Sequence, residues 1–161
     1  MGFRVVGIGE VLWDLLPSGP QLGGAPANFA YHAHALGADA SLVTRVGNDD
    51  LGRAIISRFA PIDGGQDTMQ VDEIAPTGTV SIVLSDEGIP SYTIHENVAW
   101  DYLAVATSAL SAMRDADVIC FGSLAQRGNI SRSSIQTLVG AAPTQALRVL
   151  DINLRQDLLL A

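Results

Sequence analysis

The stretch Gly23–Val46 reads GGAPANFAYHAHALGADASLVTRV and contains a complete helix signal followed by a strand signal. Its alanine-rich part predicts a helix from Pro26 to Leu36, because proline is tolerated in the first helical turn and Gly37 is a typical stop. The apolar and β-branched residues from Ala40 to Val46 then predict a buried strand. A helix that leads directly into a buried strand is the repeating unit of an α/β protein.

The same alternation extends to both sides of this stretch. It predicts strands at 3–9, 118–121 and 148–152, and helices at about 50–59, 104–113 and 131–139. A second extended segment at 10–16 is expected to end in a turn at Pro17–Pro20. Between 69 and 96 the apolar period becomes two, which predicts an antiparallel hairpin of 79–84 and 91–95 off the main sheet. The chain should therefore form a parallel sheet covered by helices on both faces.

Composition excludes several classes of function. The 161 residues are 48% hydrophobic, which suits a single domain, and the net charge of -8 argues against nucleic acid or anionic membrane as a partner. All basic residues are arginines, so a P-loop, a protein kinase site or a Schiff-base lysine is excluded. The single cysteine, Cys120, lies in an apolar run, and no apolar stretch is long enough to span a bilayer, so we expect a cytoplasmic protein.

The segment Gly23–Asn28, a glycine pair that runs into a helix, is the strongest candidate for ligand binding. Glycines allow a ligand to approach the backbone, and the first turn of a helix offers unpaired N–H groups to hydroxyl or anionic oxygens. The carboxamide of Asn28 lies beside them. The alternative is a simple glycine turn in which Asn28 caps the helix locally.

Two further places carry polar side chains in a suggestive context. Asp14 lies in an apolar stretch and is suited to accept hydrogen bonds from neighbouring hydroxyls, although it could instead mark a strand end in solvent. Asp151, Asn153 and Arg155 alternate as a strand ends, so they share one side where α/β proteins bind phosphates, metal-bound water or sugars. A polar loop after the strand is the alternative for this triplet.

Three other chemistries are excluded by spacing. His32 and His34 are two residues apart on the predicted helix and cannot form an i, i+4 metal pair. Gly7–Glu10 lacks the third glycine and the following helix of a dinucleotide fingerprint. Ser123 is followed by Leu124 and Ala125, which does not fit a nucleophile elbow.

Taken together, the motifs resemble the amino-terminal signature of ribokinase-like (PfkB) carbohydrate kinases in their order and spacing. They are Gly9–Glu10, Asp14, Gly23–Asn28, Leu36–Gly37 and the run Val46–Gly52 (VGNDDLG). The later runs Gly122–Ala125 and Asp151–Arg155 are similar to those of bacterial fructokinases.

This resemblance covers essentially the whole chain and carries specific expectations. It implies an α/β, three-layer α/β/α fold with a mostly parallel sheet, and a small β-sheet lid formed by segments at about 10–22 and 77–96. The sugar, expected to be fructose, would be bound by Asp14, Gly23, Gly24, Asn28, Tyr92 and Arg155, with Asp151 and Asn153 on the phosphate and metal side. ATP and Mg²⁺ would serve the complete enzyme, and a homodimer would form through the lid.

One departure from the family bears on the mechanism. The Gly-Ala-Gly-Asp motif that carries the family's catalytic aspartate and anion hole has no match in this sequence. We therefore expect that aspartate to lie beyond Ala161, that residues 1–161 are a kinase domain truncated before its ATP-binding half, and that the isolated chain is inactive. A non-catalytic sugar-binding remnant or pseudokinase subunit is the alternative, and a nucleotide-binding regulatory domain is a third.

Overall fold

The computed structural model describes residues 2–62, 67–84 and 90–152, which form two sheets and their covering helices. The strands are β1 (Arg4–Ile8), β2 (Leu12–Leu16), β3 (Gly19–Gly23), β4 (Asp39–Gly47), β5 (Met69–Asp72), β6 (Thr79–Leu84), β7 (Pro90–Ile94), β8 (Val118–Gly122) and β9 (Leu147–Asp151). The helices are α1 (Ala25–Ala35), α2 (Asp50–Phe59), α3 (Thr107–Arg114) and α4 (Asn129–Ala141), with short 3-10 helices at Ala99–Tyr102 and Leu124–Gln126.

The first sheet has five strands in the order β5-β4-β1-β8-β9. Each strand runs parallel to its neighbour, so the predicted parallel sheet is confirmed. Because all the strands point the same way, their carboxyl ends meet at one edge of the sheet, where open α/β folds bind ligands.

Helices cover both faces of this sheet. Leu42 of β4 packs in a core cluster with Phe59 of α2, whereas its neighbour Val43 packs in a second cluster with Leu138 of α4 and Met113 of α3. Successive side chains of a strand point to opposite faces, so these two clusters are the two sides of the sheet. The three-layer α/β/α fold is therefore confirmed. None of the described helices has the length and apolarity needed to cross a bilayer.

The second sheet has four strands in the order β3-β2-β6-β7. Strands β6 and β7 pair antiparallel, as the sequence predicts, and β2 pairs antiparallel with β3 but parallel with β6. This second sheet contains most of the segments at 10–22 and 77–96, and its assignment as a lid stays a prediction.

The sequence pattern misses two of the strands. Pro20 lies in β3, opposite Leu15 of β2, so the turn predicted at Pro17–Pro20 is wrong in its second half. Strand β3 is at the edge of its sheet, where the missing N–H of a proline needs no partner. Strand β5 has only four residues, too few for a clear period, and it extends the main sheet beside β4.

Helix α3 begins at Thr107, later than the predicted start at 104. The amide side chain of Gln70 explains the difference. It donates to the carbonyl oxygen of Ala104 at 2.7 Å and accepts from the N–H of Ala104 at 3.0 Å. With both backbone groups of Ala104 paired to a side chain on β5, the chain stays extended before the helix starts.

Asp49 caps helix α2 and also joins the helix to the segment that precedes β6. Its carboxylate accepts from the N–H of Gly52 at 2.7 Å, from the N–H of Thr77 at 2.8 Å and from the Thr77 hydroxyl at 2.7 Å. Burial acts to raise the pKa of Asp49, but these hydrogen bonds outweigh burial and hold the pKa below its ordinary value of 3.8.

We expect Asp49→Ala to lower the free energy of unfolding by about 2 kcal/mol at neutral pH, the upper end of the range for a lost helix cap. A carboxyl with a lowered pKa stabilises the fold above its unfolded-state pKa, so the difference from the wild type should shrink as the pH falls below 3.8. Urea denaturation at pH 7 and pH 3 measures both effects. Asp50→Ala, which removes only an exposed pair with Arg53, is the control and should change stability by less than about 1 kcal/mol.

Strand β9 is an edge of the main sheet, and its apolar side chains are exposed. Leu147 is 60% exposed, Leu150 49% and Val149 37%. In the described part of the chain, this edge of the main sheet is therefore apolar and exposed.

Candidate functional site

A cavity of about 830 Å³ lies between the second sheet and the carboxyl ends of β1, β8 and β9. The second sheet contributes an apolar wall with a carboxylate and a phenol in it: Leu12, Asp14, Leu16, Leu22, Val80, Ile82, Tyr92 and Ile94. Opposite it lies a more polar wall, formed by the end of β3, the start of α1, and the segments at the carboxyl ends of β1, β8 and β9: Glu10, Gly23, Gly24, Ala25, Asn28, Gly122, Ser123, Leu124 and Asp151. A cavity of this size with a few polar groups among apolar ones is typical of small-molecule sites.

Asp14 enters the cavity because of the alternation of β2. Leu12, Asp14 and Leu16 line the cavity, while Trp13 between them is buried on the other side and donates its indole N–H to the carbonyl oxygen of Leu51 at 3.1 Å. Gly23 lies beside Asp14 on the neighbouring strand, β3. A Cβ atom at residue 23 would lie only 2.6 Å from the Asp14 Oδ2. The absence of a side chain at residue 23 therefore leaves room for the carboxylate.

Helix α1 presents its first turn to the same cavity. Gly24 is the N-cap residue, with φ 108°, and as a glycine it has no side chain to cap the helix. Asn28 lies one turn further on, where its N–H donates to the carbonyl oxygen of Gly24 at 2.9 Å. The alternative in which Asn28 caps the helix is therefore wrong, and its carboxamide lines the cavity instead.

Tyr92 and Asp151 approach the cavity from opposite walls. Tyr92 lies on β7, opposite Ile82 of β6, and is 56% exposed. Asp151 is the last residue of β9, and its carbonyl oxygen accepts from the N–H of Ser123 at 3.0 Å. Asn153 and Arg155 lie outside the described residues.

The structure thus brings six of the eight predicted site residues to one cavity. They are Asp14, Gly23, Gly24, Asn28, Tyr92 and Asp151. These residues come from β2, β3, α1, β7 and β9, which are far apart along the chain. Their roles in binding stay predictions.

Glu10 is a cavity residue that the sequence argument left without a role. It is only 3% exposed, and its Oε1 accepts from the N–H of Ala25 at 3.3 Å. Burial raises the pKa of Glu10 to about 7, against the lowering effect of nearby backbone N–H groups. Asp14 was predicted as a site residue because it is a carboxylate in an otherwise apolar stretch. Glu10 lies in the same stretch, so the same reasoning could have identified it.

Ser123 also lines the cavity, and its hydroxyl oxygen is buried without a hydrogen-bond partner in the part of the chain that the structure describes. It follows β8 directly, at the sheet edge where ligands bind. A buried hydroxyl without a partner is costly unless water or a ligand supplies one.

The fold and the cavity together define the class of protein, a three-layer α/β domain with a partly polar cavity beneath a second sheet. The family described as pfkB family carbohydrate kinase matches residues 20–156, so this chain belongs to that family.

Relatives and solved structures agree with this assignment. The chain is 33% identical over 165 residues to a fructokinase of Escherichia coli, an alignment that covers 98% of this chain and 53% of that protein. It is 30% identical over 136 residues to an uncharacterized sugar kinase of Pyrococcus horikoshii, covering 84% of this chain and 44% of the relative. The crystal structure of that kinase in complex with ATP superposes with a TM-score of 0.84 at 29% identity, covering 96% of this chain and 54% of that one.

The chain therefore spans about half the length of these relatives. In the part of the chain that the structure describes, no three His, Cys, Asp or Glu side chains cluster, so these residues do not form a dedicated metal site.

Proposed function

We propose that this chain forms the sugar-binding half of an ATP-dependent, fructokinase-like sugar kinase. The observation that supports the proposal is the convergence of Asp14, Gly24 and Asn28 on one cavity under the second sheet. A carboxylate, a carboxamide and the start of a helix supply the acceptors and donors that the hydroxyls of a sugar require.

In this proposal the chain's own residues hold the acceptor sugar. The Asp14 carboxylate accepts hydrogen bonds from two neighbouring hydroxyls, and Asn28 and the backbone at Gly24 fix the orientation of the ring. Tyr92 contacts the sugar from the second sheet, which acts as a lid and, we propose, also as the surface of a homodimer. Arg155 faces the reacting end.

The proposed reaction is an in-line phosphoryl transfer. The sugar hydroxyl oxygen forms a bond to the γ-phosphorus of ATP, the bond from that phosphorus to the β,γ-bridging oxygen breaks, and ADP leaves. An aspartate accepts the proton of the hydroxyl. We assign that aspartate and the ATP site to the complete protein, with Mg²⁺ held by the phosphates on the side of Asp151 and Asn153.

A second candidate is a non-catalytic sugar-binding subunit. This candidate requires only the residues proposed to bind the sugar, such as Asp14 and Asn28, and no phosphoryl transfer. Fructose- and ATP-dependent release of ADP by the product of the native gene, with the intact mass of that product, separates the two candidates. Turnover supports the kinase, whereas fructose binding without turnover by a product ending at Ala161 supports the binding subunit.

We expect the chain to bind fructose and Asp14→Asn to weaken that binding by about 10- to 100-fold, the usual effect of losing a hydrogen bond to a charged group. Isothermal titration calorimetry measures the affinity. Asp39→Asn, which neutralises an exposed carboxylate at the start of β4, is the matched control and should leave the affinity unchanged. Equal affinities for the wild type and Asp14→Asn would contradict the proposed site.

A further inference from the structure

The buried carboxyl group of Glu10 is only half satisfied by the protein. Its Oε1 accepts from the N–H of Ala25, the first residue of α1, at 3.3 Å. Its Oε2 is buried and has no hydrogen-bond partner among the residues that the structure describes. Native proteins seldom leave a buried polar atom unpaired, so each case calls for an explanation.

Glu10 touches the proposed sugar site at its backbone as well as at its side chain. The Glu10 side chain accepts from the N–H of Ala25, and the Glu10 backbone lies against the residue before it, Gly24. A Cβ atom at residue 24 would lie only 2.5 Å from the carbonyl oxygen of Glu10. The carboxyl group therefore braces the Gly24–Ala25 turn, which is one wall of the cavity.

A glycine on β8 keeps the other side of the carboxyl group open. A Cβ atom at Gly122 would lie 3.7 Å from both oxygens of Glu10. In the described part of the chain, the charged or titratable groups that act on Glu10 are Asp151 at the end of β9 and the Cys120 thiol on β8. The first turn of α1 contributes only the N–H of Ala25, and the 3-10 helix after β8 contributes the N–H of Ala125.

Electrostatics allow this group to change its charge near neutral pH. The pKa of Glu10 is raised to about 7 as the net result of burial and the Asp151 charge, which raise it, and the N–H groups of Glu10, Ala25 and Ala125, which act in the opposite direction. The Cys120 thiol, whose pKa burial raises to about 11, stays neutral in the same range.

We propose that Glu10 is a positioning residue that holds the Gly24–Ala25 turn, and that it takes up a proton when a sugar binds. This inference rests on the proposed function of the cavity. A sugar in the cavity displaces water near the Oε2 without reaching that atom, which is already buried. Removing water disfavours the ionised carboxyl, so the bound state favours the protonated one.

The sign of the effect follows from linkage. If sugar binding raises the proton affinity of Glu10, then protonation of Glu10 raises the sugar affinity by the same factor. Fructose affinity should therefore fall as the pH rises from 6 to 8, by about two- to fivefold for a shift of about half to one pKa unit. Each bound sugar should take up a fraction of a proton near pH 7.

The test is fructose titration calorimetry on the full chain at pH 6, 7 and 8, each in two buffers of different ionisation enthalpy. We expect the wild type to show the fall in affinity and the proton uptake, and Glu10→Gln to bind fructose with neither. Glu73→Gln, an exposed glutamate next to Asn48, is the matched control and should behave like the wild type. A Glu10→Gln variant with the wild-type pH dependence, or an affinity that rises with pH, would overturn the inference.

A second measurement does not depend on the sugar. The amide signal of Ala25 in a ¹H–¹⁵N NMR spectrum should titrate with a midpoint near 7 in the wild type and stay constant in Glu10→Gln. An Ala25 amide signal that does not change with the ionisation of Glu10 would contradict the proposal that Glu10 holds the Gly24–Ala25 turn, but not the proposed function of the cavity. No fructose binding at any pH, in a chain whose Ala25 amide does titrate, overturns the proposed function and the coupling that rests on it.

Discussion

Replacing Asp101 with alanine is expected to lower the free energy of unfolding by about 3 to 5 kcal/mol, because it leaves the guanidinium group of Arg127 buried without its counter-charge. The two side chains are 10% and 6% exposed, and the Nε and a terminal nitrogen of Arg127 each donate to one oxygen of Asp101 at 2.8 Å. The pair lies beside the buried Trp100, whose ring centroid is 4.0 Å from the guanidinium carbon of Arg127.

The same arginine joins the second sheet to the rest of the domain. A terminal nitrogen of Arg127 donates to the carbonyl oxygen of His95, directly after β7, at 2.6 Å. Arg127 itself follows the 3-10 helix Leu124–Gln126, which begins at the cavity. Loss of the ion pair should therefore also loosen the attachment of β7, which hydrogen exchange of the amides at 91–95 would detect.

Urea denaturation of three variants tests this account of the ion pair. The double variant Asp101→Ala/Arg127→Leu should be more stable than Asp101→Ala alone, because no unpaired charge is then buried. Asp115→Ala, which breaks the exposed pair with Arg4, is the matched control and should cost less than about 1 kcal/mol. Equal losses for Asp101→Ala and Asp115→Ala would contradict the burial argument.

The second large effect is expected for Gly24→Ala, which should lower the free energy of unfolding by about 3 to 5 kcal/mol and abolish fructose binding. The backbone at Gly24 has φ 108°, which strains any L-residue by about 1 to 3 kcal/mol. In addition, the new Cβ atom would lie 2.5 Å from the Glu10 carbonyl oxygen and 3.0 Å from the Val11 Cα, and such overpacking typically costs about 1 to 3 kcal/mol.

Gly37→Ala separates these two contributions. Its φ is 92°, similar to that of Gly24, but no atom lies within 4 Å of a Cβ built there. The difference in unfolding free energy between the two variants therefore measures the close approach at Gly24 alone. If both variants lost the same stability, the packing of β1 against the start of α1 would not be tight in solution.

Much of the architecture could be predicted from the sequence because its signals are local. Pro26 and Gly37 mark the ends of one helix, and its observed range, Ala25–Ala35, differs from the prediction by one residue at each end. Helix α2 has the predicted bounds, since Asp49 is a strong cap before a clearly amphipathic segment. The order of the family motifs likewise depends on chain position alone, and the family assignment was confirmed.

Other features depended on contacts between distant segments. Pro20 is a turn residue by local preference, yet pairing with β2 at a sheet edge places it in a strand. The start of α3 depended on Gln70, more than thirty positions before it in sequence. The charge state of Glu10 could not be predicted from the sequence either, because its pKa of about 7 results mainly from burial in the tertiary structure.

The sequence by itself determined the family, the alternation of strands and helices, and the residue types offered to a ligand, because capping residues, apolar period and motif order are properties of neighbouring residues. The tertiary structure alone decided which of these residues share a cavity and in what state. Asp14 and Asp151 line the same cavity because two separate sheets bring the middle of β2 and the end of β9 to it. Desolvation is a property of that space, and no local sequence signal encodes it.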